Sequence, residues 1–444
     1  MSLLAHMLKS TRLSRAEREG LFSSSAEQTS LQILKRIFGD RPLENVAFRL
    51  WTGSVWPAEP ACASAATLVL NRPSALREML LPGSETGVGE AYLDAAFDVE
   101  GNMEASFEIA DRIMAQTNGW TVRLDLGRLL HRLPDNPKLA EKIRAHLEGR
   151  EHSLERDREA IDFHYNVSND FYAIWLGRQM AYSCAYFRQP DDDLETAQDN
   201  KFDHICRKLG LRAGDRFLDI GCGWGGLVLH AARHYGVQAE GITISAEQLA
   251  LAQQRIGEAG LSGRVTVRLQ DYRELPDAPD YDAVASVGMV EHVGRKNLPV
   301  YFRKIQALLK PGGLFLNHGI GLGPVAFPGN SGSFIKDHVF PDSDLILISD
   351  MTHIAEQGGW AVRDIENLRP HYARTLREWV KRLEARHDEA LRFVNERTWR
   401  VWRLYMSGCA HNFQTARLAI YQSLLAKLDS RGASRAPETR CPWY

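Results

Sequence analysis

From residue 216 onward the chain alternates short apolar runs with longer stretches of helical spacing. Apolar residues dominate 216–220, 239–244, 265–269, 283–287 and 314–317, each bounded by polar or glycine-rich sequence. Between them, 225–235, 246–259 and 297–309 place apolar side chains three and four positions apart, which lines one face of a helix. Short strands separated by helices of about ten or more residues predict βαβ units around a parallel sheet. Lys310-Pro311-Gly312-Gly313 should end the last of these helices before the fifth strand begins.

Upstream the texture differs. Residues 1–150 mix helical spacing with one strand-like run, Ala66-Thr67-Leu68-Val69-Leu70, and a turn-rich stretch, Leu81-Pro82-Gly83-Ser84. Residues 151–187 are aromatic and polar without clean periodicity, and Asp191-Asp192-Asp193 reads as an acidic linker. We therefore expect a smaller mixed N-terminal accessory domain over 1–150, an α/β domain over 151–430 and a polar tail over 431–444.

Composition narrows the picture little. A chain of 444 residues with 44% hydrophobic and 25% charged residues is that of a globular protein of two or three domains. A net charge of -2 gives no bulk attraction to nucleic acid. No apolar run approaches the roughly 20 residues of a membrane-spanning helix, and residues 1–19 lack a secretory signal's apolar core. A cytoplasmic protein is the expectation. The six cysteines are widely spaced with no C-x-x-C pair, so neither a metal site nor a disulfide framework is indicated.

The chemistry enters at the first strand-to-helix turn, Leu218-Asp219-Ile220-Gly221-Cys222-Gly223-Trp224-Gly225-Gly226. Glycines there permit a tight turn and the close approach of a ligand. An acidic residue precedes the first glycine and the third position of the dinucleotide fingerprint is unmatched, which argues against NAD. The segment resembles the first motif of class I S-adenosylmethionine methyltransferases. That resemblance implies a Rossmann-like, mostly parallel sheet, with Asp219 and the Gly221, Gly223 and Gly225 backbone holding the amino-acid part of the cofactor.

Further strings resemble the cyclopropane-fatty-acyl-phospholipid and mycolic acid cyclopropane synthase family. Gly241-Ile242-Thr243-Ile244-Ser245-Ala246-Glu247-Gln248 is similar to its G-L-T-L-S-x-x-Q. By resemblance, Thr243, Ile244 and Gln248 would contact ribose and adenine in place of an acidic residue such as Glu240. Ser245 has a second reading as the N-cap of the next helix. Asp271 and Tyr272 would sit near the adenine, with ordinary surface packing as the plain alternative for Tyr272. His164-Tyr165-Asn166-Val167-Ser168-Asn169-Asp170-Phe171-Tyr172 and Ala181-Tyr182-Ser183-Cys184-Ala185-Tyr186-Phe187 resemble two more family segments, the latter placing Tyr182 and Ser183 at the cofactor. Gly87-Val88-Gly89-Glu90-Ala91-Tyr92-Leu93-Asp94 is similar to an element of the family's N-terminal domain.

The implied activity is transfer of the methyl of S-adenosylmethionine to the double bond of an unsaturated phospholipid acyl chain, giving a cyclopropane. Attack by a weak alkene nucleophile leaves a carbocation that must lose a proton, so the site must exclude water and supply a base. In the family that base is bound bicarbonate, and the matching positions are Cys184, Glu291, His318, Ile320 through its backbone, and Tyr372. Each has a bland alternative: a small buried cysteine, a helix cap at Glu291, a core histidine, and for Tyr372 the start of an amphipathic helix.

The resemblance further implies contact with a membrane surface, at its inner face and peripheral in kind, and permits a homodimer. The aromatic stretch 396–427, with Trp399, Trp402, Tyr405, Met406, Phe413 and Tyr421, would help wall an acyl channel or simply form core. Two departures bear on the product. Asn166 stands where the family often has aspartate, and Phe340-Pro341-Asp342-Ser343-Asp344-Leu345-Ile346 stands where F-P-G-G-x-L-P-S is common. Relatives leaving a methyl branch or a methylene group, and methyltransferases acting on an amine, are the competing enzymes. A cofactor- or lipid-binding regulatory protein is the non-enzymatic alternative.

Overall fold

The computed structural model describes residues 15–39, 46–57, 65–116, 120–136, 167–325, 334, 338–339 and 344–444. The motif residues His164 to Asn166 and Phe340 to Ser343 lie outside them, as does Cys62. The chain divides into two compact units, Met1–Ile143 with Phe327–Phe334, and Arg144–Ala326 with Ile335–Tyr444.

In the first unit a mixed sheet runs in the order β2-β1-β3-β4, from β1 (Val46–Arg49), β2 (Val55–Trp56), β3 (Ala66–Leu70) and β4 (Phe97–Gly101). The strand-like run of the sequence is β3, parallel to β1 and antiparallel to β4. Gly87 and Gly89 lie in the helix Glu85–Leu93, capped by Ser84, whose hydroxyl accepts the Gly87 N–H at 3.1 Å. A Cβ on Gly89 would stand 2.3 Å from Phe334, so this motif glycine serves close packing.

The second unit is built on seven strands in the order β10-β11-β9-β8-β5-β6-β7. They are β5 (Arg216–Ile220), β6 (Gln238–Thr243), β7 (Val265–Leu269), β8 (Tyr281–Val287), β9 (Leu309–Leu322), β10 (Ala361–Asn367) and β11 (Leu418–Ala426). Strands β9, β8, β5, β6 and β7 run parallel, and β11 is antiparallel to both β9 and β10. Because β5 pairs with β6 on one side and β8 on the other, the strand order reverses at its carboxyl end, where ligands bind in sheets of this kind.

Helices cover both faces. They are α1 (Asn169–Leu176), α2 (Leu194–Lys208), α3 (Gly226–Tyr235), α4 (Ala246–Glu258), α5 (Leu298–Leu308), α6 (Ile348–Gln357), α7 (Arg369–Ala385) and α8 (Glu396–Gln414). Short polar side chains start four of them: Ser168 accepts from Phe171 N at 3.3 Å, Asp193 from Thr196 N at 2.8 Å, Ser245 from Gln248 N at 3.3 Å and Asn395 from Thr398 N at 2.8 Å. Alternate residues of β5 bury to opposite faces, Phe217 in one apolar cluster and Leu218 and Ile220 in the other.

Three expectations change. The Pro-Gly sequence at 310–313 lies inside the first part of β9, which starts at Leu309, with the irregularity taken up as a register shift opposite β8. The apolar stretch 396–427 is two elements, α8 and β11, an inner strand between β10 and β9 that is buried on both faces and therefore reads as a mostly apolar run. The terminal residues are also tied down: Trp443 is 3% exposed, its carbonyl lies 3.2 Å from His204 Nδ1, and Arg440 pairs with buried Asp364 at 2.6 Å.

Candidate active site

The β5–α3 turn exposes backbone because Gly221 (φ 79°) and Gly223 (φ 54°) take the left-handed region. The cavity beyond it is lined by both glycines, by Tyr182 and Ser183, by Asp219 at the end of β5, by Thr243, Ile244 and Gln248 after β6, and by Asp271 and Tyr272 after β7. Of the residues expected at the cofactor, Gly225 alone is not in this lining. It caps α3 at φ 79°, and a Cβ there would meet Ala252 at 3.3 Å.

Each wall is held from behind. Thr243 Oγ1 donates to Gln248 Oε1 at 2.7 Å and accepts the Ser245 N–H at 3.2 Å, while Ser245 caps α4, so both readings of that motif are compatible. Glu240 is turned elsewhere, paired with Arg268 and accepting from the Tyr281 hydroxyl at 3.0 Å. Asp271 is gripped by Arg273 through Nε at 2.9 Å and Nη2 at 2.8 Å. Asp219 is 3% exposed and its Oδ1 has no hydrogen-bond partner. Burial drives its carboxyl up to about 7, against the pull of Lys201. An orphaned buried acid at a glycine turn, below side chains poised for a ribose, fits the amino-acid and nucleoside ends of S-adenosylmethionine.

The five residues expected at the chemistry lie around the carboxyl end of β9 and the amino-terminal half of β11 that pairs with it. His318 and Ile320 sit on β9 opposite Gln422 and Ile420 of β11. Glu291, on a single helical turn after β8, accepts the Ile320 N–H at 2.6 Å through Oε1, and its buried Oε2 has no partner. Burial carries its carboxyl up to about 7. His318 is fully buried; Gln422 Nε2 faces its Nδ1 at 3.2 Å, which puts the ring proton on Nε2, and that atom has no partner. Burial, with Lys201 and Lys208 nearby, lowers it to about 3, so the ring is neutral. The Leu368 carbonyl joins the other two: it takes the Tyr372 N–H at 3.1 Å and lies 3.8 Å from Cys184 Sγ. Burial holds Cys184 far above the usual thiol range, which rules it out as a thiolate nucleophile.

Glu291 and Ile320 line a second, smaller cavity whose other walls include Val290, Leu298, Ile346, Met351 and Tyr421. Cys184, His318 and Tyr372 line neither cavity. Behind them stands an aromatic cluster, with Tyr172, Trp175, Tyr182, Trp379 and Trp402 at ring-centre separations of 5.4–6.0 Å.

The profile of the family described as Mycolic acid cyclopropane synthetase matches residues 152–423. The chain belongs to that family. A probable fatty acid methyltransferase of Pseudomonas putida is 38% identical over 89% of this chain and 95% of its own. The cyclopropane-fatty-acyl-phospholipid synthase of Escherichia coli K12 is 33% identical over 82% of this chain and 89% of its own. The solved structure of mycolic acid cyclopropane synthase CmaA1, complexed with SAH and CTAB, aligns at a TM-score of 0.57 with 29% identity, over 61% of this chain and 98% of that one. As a cyclopropane synthase relative, the chain is an S-adenosylmethionine-dependent methyltransferase.

Lys201 escaped the sequence reading. It lines the cofactor cavity, is 1% exposed, and donates to Ser183 Oγ at 2.8 Å. A signal was present: Leu194, Ala197, Lys201 and Ile205 share one buried stripe of α2, an odd place for a charge. Gln422 was missed because nothing in the sequence shows that β11 pairs with β9. His292, next to Glu291, faces the cofactor cavity while Glu291 faces the smaller one.

Proposed function

We propose that the enzyme transfers the methyl of S-adenosylmethionine to the double bond of an unsaturated phospholipid acyl chain and closes it to a cyclopropane. The observation that carries this reading is the second cavity, where Val290, Leu298, Ile346 and Met351 flank the buried Glu291 carboxyl with its unpartnered oxygen, and the exposed Arg295 and Asp344 also line it. An alkene needs apolar side chains beside it and a later outlet for a proton, and both are present here.

The chain's own residues divide the work. Asp219, Thr243 and Gln248 would hold the cosubstrate in the first cavity, whose lining also includes Met289, and the cosubstrate would supply an electrophilic sulfonium methyl there. The alkene carbon forms a bond to that methyl as the carbon–sulfur bond breaks, and positive charge moves onto the neighbouring alkene carbon. Tyr182 and Trp224, which line the cosubstrate cavity, would present aromatic rings to the developing charge, and the aromatic cluster packed behind them keeps water out. Ring closure then requires loss of one proton from the transferred methyl. Cys184, Glu291, His318, the Ile320 backbone and Tyr372 would hold bicarbonate, which supplies the proton acceptor. The unpartnered His318 Nε2–H, and the Glu291 carboxyl that burial biases toward its protonated form, are donors suited to an oxyanion. The acyl substrate resides in a bilayer, so the reaction takes place at a membrane surface, and protein should float with lipid vesicles.

Purified protein, S-adenosylmethionine and vesicles of unsaturated phospholipid should yield acyl chains heavier by one CH2, with a cyclopropane signal in proton NMR. A trideuteromethyl cosubstrate should lose one deuterium. Absence of any mass gain on unsaturated lipids overturns the proposal; a mass gain with a retained olefin signal makes the enzyme a branching relative.

A further inference from the structure

Lys201 and Asp219 are opposite charges that line one cavity without pairing. The Lys201 ammonium is met by the Ser183 hydroxyl at 2.8 Å and lies 4.3 Å from the centre of the Phe202 ring, and no described carboxylate forms an ion pair with it. Asp219 keeps one oxygen without any partner. Burying an uncompensated charge is costly, and such charges persist where a partner arrives from outside. A separated cation and anion in one wall complement a zwitterion, and the Thr243–Gln248 side of the cavity is already suited to the nucleoside.

We propose that Lys201 binds the carboxylate of the cosubstrate's amino-acid end while Asp219 takes its ammonium. The inference rests on the cofactor assignment and is independent of the lipid substrate. It gives the lysine a direct part in cosubstrate recognition, with Ser183 fixing the direction of its ammonium. Burial lowers Lys201 to about 7 and raises Asp219 to about 7, so an arriving zwitterion restores full charge to both.

The test is calorimetric titration of the full chain with S-adenosylhomocysteine and with the same thioether lacking its carboxylate. The wild type should bind the carboxylate-free compound more weakly by on the order of thirty- to a thousandfold, as expected for a desolvated charge pair. Lys201→Met should weaken S-adenosylhomocysteine by a similar factor, and its preference between the two ligands should fall toward one. Lys201→Arg should keep most of that preference, and Asp219→Asn should weaken both ligands while leaving their ratio intact. Equal weakening of both ligands in Lys201→Met would make the residue a prop for Ser183 and overturn the proposal. So would a wild type that binds the two alike, a result available even if Lys201→Met fails to fold. Binding of neither ligand to the wild type would instead strike at the cofactor assignment itself.

Discussion

Gln422 on β11 donates its side-chain amide to His318 Nδ1 on β9 at 3.2 Å. This contact fixes which ring nitrogen carries the proton and leaves Nε2–H as the donor at the proposed oxyanion position. Gln422→Leu leaves a buried ring nitrogen without a partner, at a cost of about 1–3 kcal/mol in stability. Turnover should fall while S-adenosylhomocysteine affinity stays level. Denaturant melts and calorimetry on the same preparation separate the two effects.

Glu291 predicts a pH dependence of stability. Its native carboxyl titrates at about 7, above the ordinary value of 4.5. Between those two values the folded protein binds more protons at this residue than the unfolded one, so stability falls as pH rises through that window. Its contribution is complete below 4.5 and lost above about 7. Glu291→Gln keeps an acceptor for the Ile320 N–H and should flatten this part of the profile, measured by denaturation from acid to neutral pH. Its turnover should drop by roughly a hundredfold, because the group that helps hold the proton acceptor is altered.

Gly225 separates fold from ligand. It sits in the glycine motif yet caps α3 at φ 79° and faces Ala252. Gly225→Ala forces a left-handed alanine against a neighbour at 3.3 Å and should cost about 1–2 kcal/mol. Thermal melts should show the loss, whereas cosubstrate affinity should change less than for Thr243→Val, which removes a cavity wall and its bond to Gln248.

Trp443 tests the terminal docking. Trp443→Ala empties a site that is 3% exposed and should cost about 3–5 kcal/mol. It also uncovers the network in which Lys208 bridges Asp364 at 3.0 Å and Glu366 at 2.5 Å. Burial alone would raise Glu366, but the bond from His204 and the Lys208 charge hold it near about 2. The melting temperature should therefore drop more steeply in high salt for the variant than for the wild type.

Sequence reading reached the parallel half of the sheet because those strands are short apolar runs punctuated by helices of regular period. It placed the glycine turn and the Thr243–Gln248 wall because their roles are local: one turn, one cap. It missed β10 and β11 for a physical reason. Ala361–Asn367 carries Arg363, Asp364 and Glu366, whose partners are distant in sequence: the Pro437 carbonyl for Arg363, Lys208 and Arg440 for Asp364, and Lys208 and His204 for Glu366. Leu418–Ala426 is apolar on both sides, as a helix core also is. Lys201 and Gln422 owe their importance to neighbours that no local pattern reveals.

The placement of β11 has a consequence for biosynthesis. Leu418–Ala426 lies between β9 and β10, so these two earlier strands have nothing to join them until residues 418–426 are made. A nascent chain stopped before residue 418 therefore has the glycine turn but leaves His318 and Ile320 on an open sheet edge. At typical synthesis rates of roughly 5–20 residues per second, that bare edge is exposed for seconds on every ribosome, the interval in which a chaperone or a stray strand would find it.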